Sequence, residues 1–432
     1  MDIKLKKPTC VLVAPVSTLS GYGAHARGIA DALIDWDKFD VKIISTKWGA
    51  CPMTALDNNS TQSEKIKQRI IQNLSSQPDL FIQVSIPNEF NPIGKYNVGI
   101  TAGIETTVPR GEWVMGLNRM NLNIVPSKFS KEVFESVKMT MQDKNTGQRS
   151  ELKMEKPMEI AFEGADESVY FKTDAKSELL DSTLDAISED FVFLFVGHWL
   201  QGEVGEDRKN VGMLVKLFFE TFKNKKNAPA LLLKTSGANF SHMDKHDILH
   251  KINVIRETIV ADTLPSVYVL HGDLTDSEMN RLYNHPKVKV NVSLTKGEGW
   301  GRPLLEASFA GKPIIASNWS GHLDFLPEKY VSLVPGKLEP IHPSAVNEWI
   351  IKEAQWFTPN YTIASKTMLD IFSNYAPYLK KAEELRKINV EKWSYKAGND
   401  ALISILDKYV PPFASQQQFT LPKFKKVSSP AT

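Results

Sequence analysis

The segment from Thr295 to Asn318 constrains the fold most, because it predicts a glycine loop, a helix and a strand in direct succession. Another strand is predicted just before it, from Val288 to Leu294, where apolar residues alternate with polar ones. Pro303 suits the first position of the helix, and Gly311 suits the position just past its end. This order of elements is typical of a β-α-β unit in a parallel sheet.

The loop and the start of the helix combine features of a phosphate site. Gly297, Gly299 and Gly301 remove side chains from the loop, so another group can approach its backbone closely. A helix that begins after such a loop has free N–H groups at its end, which suit a phosphate. Glu298 lies in the loop, and Glu306 lies about one turn inside the helix with its side chain directed toward the same end. A phosphate site between two carboxylates can hold a sugar on one side and a ribose on the other.

The sequence G-E-G-W-G-R-P-L-L-E-A, from Gly297 to Ala307, resembles the two-glutamate signature of retaining glycosyltransferases with the GT-B fold, family 4 in particular. The resemblance continues through A-G-K-P-I-I-A-S-N to Asn318 and covers the chain up to the segment that begins at Pro411. It implies an α/β protein with two Rossmann-like, doubly wound parallel-sheet domains that face each other across a cleft. It also implies a hexosyl- or pentosyltransferase that moves a sugar from a nucleoside diphosphate sugar to an acceptor hydroxyl. The anomeric configuration would be retained, and no metal or other cofactor would be required.

The same resemblance divides the chain into parts. The expected parts are an N-terminal acceptor-side domain (1–171), a C-terminal nucleotide-sugar-binding domain (172–375), helices that cross back to the first domain (376–410) and a flexible tail (411–432). The polar composition of residues 138–155 predicts a surface loop or an insertion, and that of residues 172–189 predicts a hinge.

The resemblance also implies roles for residues around the glycine loop. Glu306 is expected to bind the ribose hydroxyls of the donor, and Glu298 is expected to hold its sugar ring and stabilise the positive charge that develops there. Backbone groups near Thr275 are expected to read the base. The backbone N–H groups expected to bind the leaving diphosphate are those of Gly299, Trp300, Gly301 and Arg302. No residue stands out as a covalent nucleophile, so we expect front-side transfer, in which the leaving phosphate helps to take the acceptor proton.

A basic pair before a predicted helix is the second half of the expected diphosphate site. The family has G-R, a loop and K-G at this position, and Lys209 matches the lysine. His198 stands in place of the arginine and Asn210 in place of the second glycine, so the chain departs from the family pattern at two positions of the expected diphosphate site. Arg208 offers a replacement for the lost cation. A solvated charge pair at a helix start is the alternative interpretation.

Another glycine loop follows the first predicted strand. Gly21, Gly23 and Ala26 fit the pattern G-x-G-x-x-G/A and invite a comparison with NAD(P) oxidoreductases. The acid that such enzymes carry after the second strand is absent, because Ser45-Thr46-Lys47 stands there. The glycosyltransferase resemblance implies instead that Gly21, Tyr22 and Gly23 cover the phosphate and sugar of the donor. A bare turn is the alternative.

The acceptor side is predicted from the segment Gly103–Pro109, which follows a strand end and should face the cleft. Glu105 could orient an acceptor hydroxyl or act on its proton, although it could also be an ordinary surface carboxylate. Thr106 and His25 complete the acceptor-side candidates.

The composition adds limits to these expectations. The chain of 432 residues has a net charge of +2, which neither requires nor excludes a nucleic-acid partner. No apolar run reaches the roughly 20 residues of a membrane span, and the run from Cys10 to Val16 is too short for a signal core. Cys10 and Cys51 have no metal or redox spacing, so we expect a reducing, cytoplasmic location.

One histidine pattern would permit a metal. His242, His246 and His250 fall on one face of a predicted helix. The surrounding lysines favour a solvated face, and we therefore predict no metal site.

Several functions remain open beside sugar transfer to a glycan or a small molecule. A GT-B epimerase would use the same donor site without an acceptor, and an inactive relative would bind the donor without turnover. Lysine-rich segments, such as residues 223–226 and the tail, leave open a hydroxylated base in DNA as the acceptor. A lipid acceptor has no support from an amphipathic basic helix in the first domain. The base, the sugar, the acceptor and the oligomeric state do not follow from the sequence.

Overall fold

The computed structural model describes residues 5–58, 60–142, 149–237, 240–414 and 416–417. The strands of the first part of the chain are β1 (Leu5–Lys6), β2 (Thr9–Ala14), β3 (Asp40–Ser45), β4 (Leu80–Val84), β5 (Tyr96–Ile100), β6 (Leu122–Val125), β7 (Lys138–Gln142), β8 (Arg149–Lys153) and β9 (Met158–Ile160). The helices of this part are α1 (Gly21–Trp36), α2 (Thr61–Lys67), α3 (Gly111–Arg119) and α4 (Lys128–Ser136).

The second part of the chain alternates helices and strands in the same way. Its strands are β10 (Val192–Val196), β11 (Ala230–Lys234), β12 (Val267–Leu270), β13 (Val288–Ser293), β14 (Ile314–Ser317), β15 (Ser332–Val334), β16 (Gly336–Pro340), β17 (Gln355–Pro359) and β18 (Gln416–Gln417). Its helices are α5 (Glu178–Asp185), α6 (Val211–Phe222), α7 (His242–Glu257), α8 (Asp276–Asn284), α9 (Arg302–Phe309), α10 (Tyr361–Ser373), α11 (Tyr375–Lys392) and α12 (Tyr395–Tyr409).

The first sheet has the strand order β3-β2-β4-β5-β6-β9, and neighbouring strands run parallel. Successive side chains of a strand point to opposite faces, and both faces of this sheet are covered by helices. Cys10 and Leu12 of β2 therefore pack with Leu33 of α1, whereas Val11 packs in the cluster that contains Trp113 of α3. The continuous apolar run of β2 thus follows from burial on both faces.

The second sheet has the strand order β12-β11-β10-β13-β14-β15, again with parallel neighbours. Phe193 of β10 meets Phe218 of α6 with ring centroids 5.9 Å apart. Leu194, the next residue along the strand, packs in the opposite cluster with Leu305 of α9. The two doubly wound parallel sheets confirm the predicted α/β class.

The last helices connect the two sheets. Helix α11 packs on α9, beside the second sheet. At its end the chain turns back, and Tyr395 N donates to Ala165 O over 2.7 Å. Helix α12 then packs along α1, and its Leu402 and Leu406 join the core beside the first sheet.

Three stretches differ from the sequence expectations or fall outside the structure. Residues 138–155, predicted as a surface loop or an insertion, contain the antiparallel strand pair β7 and β8, and β8 packs on α3. Residues 172–189, predicted as a hinge, contain α5, whose Leu180 and Leu184 are buried in the second core. Of the predicted tail, residues 415 and 418–432 lie outside the described residues.

An arm formed by residues 336–359 extends from the second sheet to the first half of the chain. Strands β16 and β17 of this arm pair only with each other in the described sheets. Thr107 N donates to Gln355 O over 2.9 Å, and Gln355 N donates back to Thr107 Oγ1 over 2.9 Å. The arm therefore bridges the two halves at one edge of the cleft.

Candidate active site

The glycine loop between β13 and α9 lies at the carboxyl ends of strands from both sheets. A Cβ atom on Gly297 would overlap the carbonyl oxygen of Glu105, and one on Gly299 would overlap that of Ala102. Ser127 Oγ donates to Gly299 O over 2.6 Å. The sequence predicted a close approach to this loop, and in the structure the group that approaches is the backbone of the first half of the chain.

The start of α9 keeps unused hydrogen-bond donors. Gly301, the residue before the helix, has φ +96°, a conformation that favours glycine, and Pro303 stands in the first turn as predicted. No described side chain caps this helix, and no described group accepts a hydrogen bond from the N–H of Trp300 or Gly301. These donors and the helix dipole make this end of α9 favourable for an anion.

Beside this helix start lies a cluster of largely buried charges. Lys209 Nζ is 2.5 Å from Glu298 Oε1, and Arg208 Nη1 is 3.4 Å from Glu298 Oε2. Arg208 Nη1 also lies 3.8 Å from Glu105 Oε1, which belongs to the first half of the chain. Burial alone would raise the pKa of Glu298, but Lys209 and Arg208 outweigh it and lower the pKa to about 2. Glu298 is therefore ionised and neutralises one of the two positive charges of the pair.

The loop between β10 and α6 positions these cations, and it explains one departure from the family pattern. Asn210, where the family has glycine, has φ +58°, and asparagine tolerates this left-handed conformation better than most residues. Its Nδ2 donates to Leu294 O over 2.9 Å and so ties the loop to β13. His198 Nδ1 lies 2.9 Å from Ser236 Oγ. Burial, Lys209 and Arg208 lower the pKa of His198, which therefore adds no cation to the pair at neutral pH.

Glu306 pairs with a residue of its own helix. Arg302 Nε donates to Glu306 Oε1 over 2.6 Å, and Tyr283 OH donates to Oε2 over 3.4 Å. Burial raises the pKa of Glu306, and Arg302 opposes the rise. The two residues are one helical turn apart on one face, so their pairing follows from the i,i+4 spacing. Glu298 and Glu306 thus lie on either side of the helix start, each held by cations.

The first glycine loop faces this region from α1. Helix α1 begins at Gly21, because Ser20 Oγ accepts a hydrogen bond from Gly23 N over 2.9 Å. Tyr22 OH accepts from Ala102 N over 3.0 Å, and its ring stacks on Trp48 with centroids 3.9 Å apart. Tyr22 is therefore fixed against the same strand end that meets the second glycine loop.

The other two predicted acceptor-side residues, Thr106 and His25, lie in different parts of the structure. Thr106 is buried, and its Oγ1 donates to Val108 O over 3.2 Å, so it stabilises the loop that carries Glu105. His25 lies instead on the wall of a cavity that it shares with Arg302. Burial and Arg302 lower the pKa of His25 to about 3, so its ring is neutral.

Two predicted donor residues use their side chains within the protein. Thr275 caps α8: its Oγ1 accepts from Glu278 N over 3.3 Å, and Glu278 Oε2 accepts from Thr275 N over 2.7 Å. Trp300 is buried, and its indole N–H donates to Glu163 O over 2.8 Å. The backbone of Thr275 is also used, because Met279 N donates to its carbonyl oxygen over 2.8 Å, whereas the N–H of Trp300 remains for a ligand.

Sequence reasoning missed Ser127, Tyr283 and Glu163, which contact or adjoin the site. Ser127 lies in the sequence V-P-S-K-F, and nothing in that sequence marks its contact with Gly299. Tyr283 falls on the apolar face of a helix, where an aromatic residue ordinarily indicates core packing. Glu163 offered one signal, an acid between the apolar segment Ile160–Phe162 and the sequence Gly164-Ala165.

Two further sequence expectations concern a metal site and a membrane span. Within them, no group of three or more histidine, cysteine, aspartate and glutamate side chains could hold a metal ion. His242, His246 and His250 are exposed on α7. Among the described helices, none combines the length and apolar character that crossing a membrane requires.

No protein-family model matches the chain, and no curated protein matches it in sequence. Solved structures do match its fold. A glycosyltransferase from Rickettsia africae has a TM-score of 0.61 at 12% identity, over 94% of this chain and 99% of the other. Sucrose-phosphate synthase from Thermosynechococcus elongatus has a TM-score of 0.60 at 12% identity, over 93% and 99%. Anabaena HepE in complex with UDP-glucose has a TM-score of 0.56 at 12% identity, over 93% and 100%.

These similarities extend over nearly the whole of both chains in each pair. Together with the two parallel sheets and the cleft between them, they show that this chain has the GT-B fold. At this level of identity the comparison concerns the fold alone. The activity must be argued from the chemistry of the cleft.

Proposed function

We propose that this protein is a glycosyltransferase that uses a nucleoside diphosphate sugar as its donor. The observation that carries the proposal is the buried pair Lys209 and Arg208 beside the uncapped start of α9. In the unliganded protein both cations form ion pairs with Glu298. A diphosphate is the ligand class that suits two cations and a helix N-terminus together. The fold adds support, because the similar HepE structure contains UDP-glucose. We therefore place UDP-sugars first among the donors.

In the proposed mechanism the protein stabilises the charges that separate as the glycosidic bond breaks. Lys209, Arg208 and the N–H groups at the start of α9 stabilise the negative charge on the leaving diphosphate. Glu298, released from the cations by the diphosphate, faces the positive charge at the sugar ring. Glu306 accepts hydrogen bonds from the ribose. No metal takes part in this scheme, because the fixed cations supply the positive charge.

The retained anomeric configuration belongs to the same proposal. Glu298 is the carboxylate nearest the expected sugar, and its pairing with Lys209 and Arg208 in the unliganded protein fits a charge-stabilising role better than a covalent one. Front-side transfer, in which the leaving phosphate helps to take the acceptor proton, needs no covalent nucleophile. Glu105, which approaches Arg208 from the first half of the chain, would orient the acceptor hydroxyl. Closure of the cleft excludes water, which would otherwise compete with the acceptor.

The proposed acceptor is the hydroxyl of a glycan or a small molecule, and a hydroxylated base in DNA is the alternative. Purified protein is incubated with UDP-glucose and other sugar nucleotides, with and without mixed oligosaccharides or hydroxymethylated DNA. The release of nucleoside diphosphate and the mass of the product are then measured. Transfer that is lost in Lys209→Met and kept in Lys226→Met, an exposed control, supports the proposal. Conversion of the donor to its epimer without an acceptor would replace transferase by epimerase, and binding without turnover would contradict both.

A further inference from the structure

The chain passes between its two halves at two adjacent places. The first is the connecting segment, residues 161–166, and the second is the turn between α11 and α12. Ala165 N donates to Trp393 O over 3.1 Å, and Tyr395 N donates back to Ala165 O over 2.7 Å. Because the two covalent crossings lie side by side, a movement that opens the cleft must turn about this place.

A small cavity of about 80 Å³ lies beside the crossings. This volume suits a few water molecules, whereas small-molecule sites measure about 300–1,000 Å³. Residues from both halves and from both crossings line it, among them His25, Arg27, Glu163, Asp276, Arg302 and Tyr395. Separation of the halves would therefore divide the wall of the cavity and open it to solvent.

Glu163 is the unusual member of this wall. Its residue is 8% exposed, and its carboxyl makes no hydrogen bond or ion pair with any residue that the structure describes. A buried polar group without a partner destabilises the arrangement that buries it, and the cost is larger when the group is charged. The closed arrangement of the two halves therefore disfavours the ionised form of Glu163.

The titratable groups that face Glu163 come from every element around it, and they leave this cost in place. Most have partners within the protein: Arg27 with Thr18 O, Arg302 with Glu306, Tyr170 with Asp276, Tyr395 with Asp31, and Asp166 with Ser168 N. His25 is neutral, because burial and Arg302 lower its pKa to about 3. Burial raises the pKa of Glu163 to about 7, with Arg302 opposing the rise and Glu306 adding to it.

We propose that Glu163 is a pH-dependent switch that controls the opening of the cleft. When Glu163 is protonated, its neutral carboxyl fits the closed cavity, and the two halves stay together. When it is ionised, the carboxylate becomes fully hydrated only if the cavity opens, so ionisation favours the separated halves. This switch goes beyond the proposed sugar transfer, because it concerns the conformation of the protein without any ligand.

The direction and the size of the effect follow from proton linkage. The pKa of the carboxyl is about 7 in the closed form, against an ordinary value of 4.5 once it is hydrated. Between these two values the closed form binds more protons than the open form. Each rise of one pH unit in this interval should therefore shift the equilibrium up to about tenfold toward the open form. Below pH 4.5 and above about pH 7 the contribution of Glu163 should be constant.

Amide hydrogen exchange measures this opening even when the open form is rare. Thr107 N donates to Gln355 O, and Gln355 N donates to Thr107 Oγ1, so both amides bond across the cleft. Their protection factors, which remove the direct effect of pH on exchange, are measured from pH 4.5 to about 8 without nucleotide. In the wild type they should fall up to about tenfold for each pH unit until about pH 7. In Glu163→Gln, which carries no charge at any of these pH values, they should stay constant.

A second variant and a matched control complete the test. Glu163→Leu is also uncharged and should give the same constant protection, so the result does not depend on the folding of one variant. Asp166→Asn is the control, because Asp166 lines the same cavity but its carboxylate accepts from Ser168 N over 2.9 Å. This control should show the fall of the wild type.

Three results would overturn the switch. The first is protection of Thr107 and Gln355 that does not change with pH in the wild type. The second is an equal fall in the wild type and in both Glu163 variants, which would assign the pH dependence to another group. The third is protection equal to that of Leu12 in the core of the first sheet, because the halves would then separate only when the protein unfolds. None of these measurements uses a nucleotide, so the proposed transferase function is tested separately.

Discussion

Replacing Glu298 by glutamine should strengthen the binding of UDP while it abolishes sugar transfer. In the structure the carboxylate of Glu298 forms ion pairs with Lys209 Nζ at 2.5 Å and Arg208 Nη1 at 3.4 Å. It therefore lies where the diphosphate is proposed to bind. A diphosphate must therefore displace this carboxylate from the cations. Glutamine keeps the shape of the side chain but removes the competing negative charge.

The size of the effect can be worked out from the pKa of Glu298. The pKa falls from 4.5 to about 2, which corresponds to about 3 kcal/mol at about 1.4 kcal/mol for each unit. Only part of this net value reaches the diphosphate, because the carboxylate keeps some of its attraction to the cations when it moves. If about half of it is released to the diphosphate, the affinity for UDP rises roughly tenfold.

Calorimetric titration of UDP into the wild type and Glu298→Gln measures this difference directly. Glu112→Gln is the control, because Glu112 pairs with Arg110 at an exposed position outside the cluster. The variant should also melt at a lower temperature without UDP, since two buried cations lose their counterion. An unchanged or weaker affinity for UDP in Glu298→Gln would refute the competition between the carboxylate and the diphosphate.

Three further predictions follow from the geometry of the cleft. Gly299→Ala should lower both the melting temperature and the transfer rate, because the added Cβ would overlap the carbonyl oxygen of Ala102. Calorimetry measures the melting temperature, and an activity assay at matched protein concentration measures the rate. Wild-type values of both would contradict the close contact. Glu306→Ala should weaken UDP binding by roughly tenfold or more, as a buried hydrogen-bonded carboxylate is removed; unchanged affinity would exclude its role at the ribose. Glu163→Gln should stabilise the unliganded protein increasingly as the pH rises from 4.5 to about 7, because the folded state binds more protons than the unfolded state over that interval. Melting curves of the variant and the wild type should coincide below pH 4.5, and a constant difference at every pH would contradict the raised pKa.

The elements around the glycine loop could be predicted from the sequence because local signals agree there. Pro303 and Gly311 mark the two ends of α9, and the alternation from Val288 marks the strand before it. Where a contact between residues far apart in the sequence determines the end of an element, local sequence signals are insufficient to predict that end. The amphipathic pattern from Glu64 to Leu74 predicts one helix. In the structure α2 ends at Lys67, and Ile70 pairs with Ile43 of β3 instead.

The candidate site shows the same limit. The two glutamates and Lys209 could be found from spacing, because one short stretch contains each signal. The contact between Arg208 and Glu105 joins residues far apart in the sequence and depends on how the two halves meet. The sequence from His25 to Ile34 predicts a helix, but α1 begins earlier, at Gly21, because the hydroxyl of Ser20 caps it. Such contacts become visible only when side-chain positions are known.

The most direct measurement is the thermal stability of the wild type against UDP, GDP, ADP, CDP and TDP, their sugars, and nicotinamide cofactors. A ligand that binds only the folded state raises the melting temperature by mass action. We predict a selective rise with one nucleoside diphosphate, UDP first, and no rise with NAD(P). A rise with NAD(P) alone, or no rise with any nucleotide, would contradict a nucleoside diphosphate sugar site in the cleft.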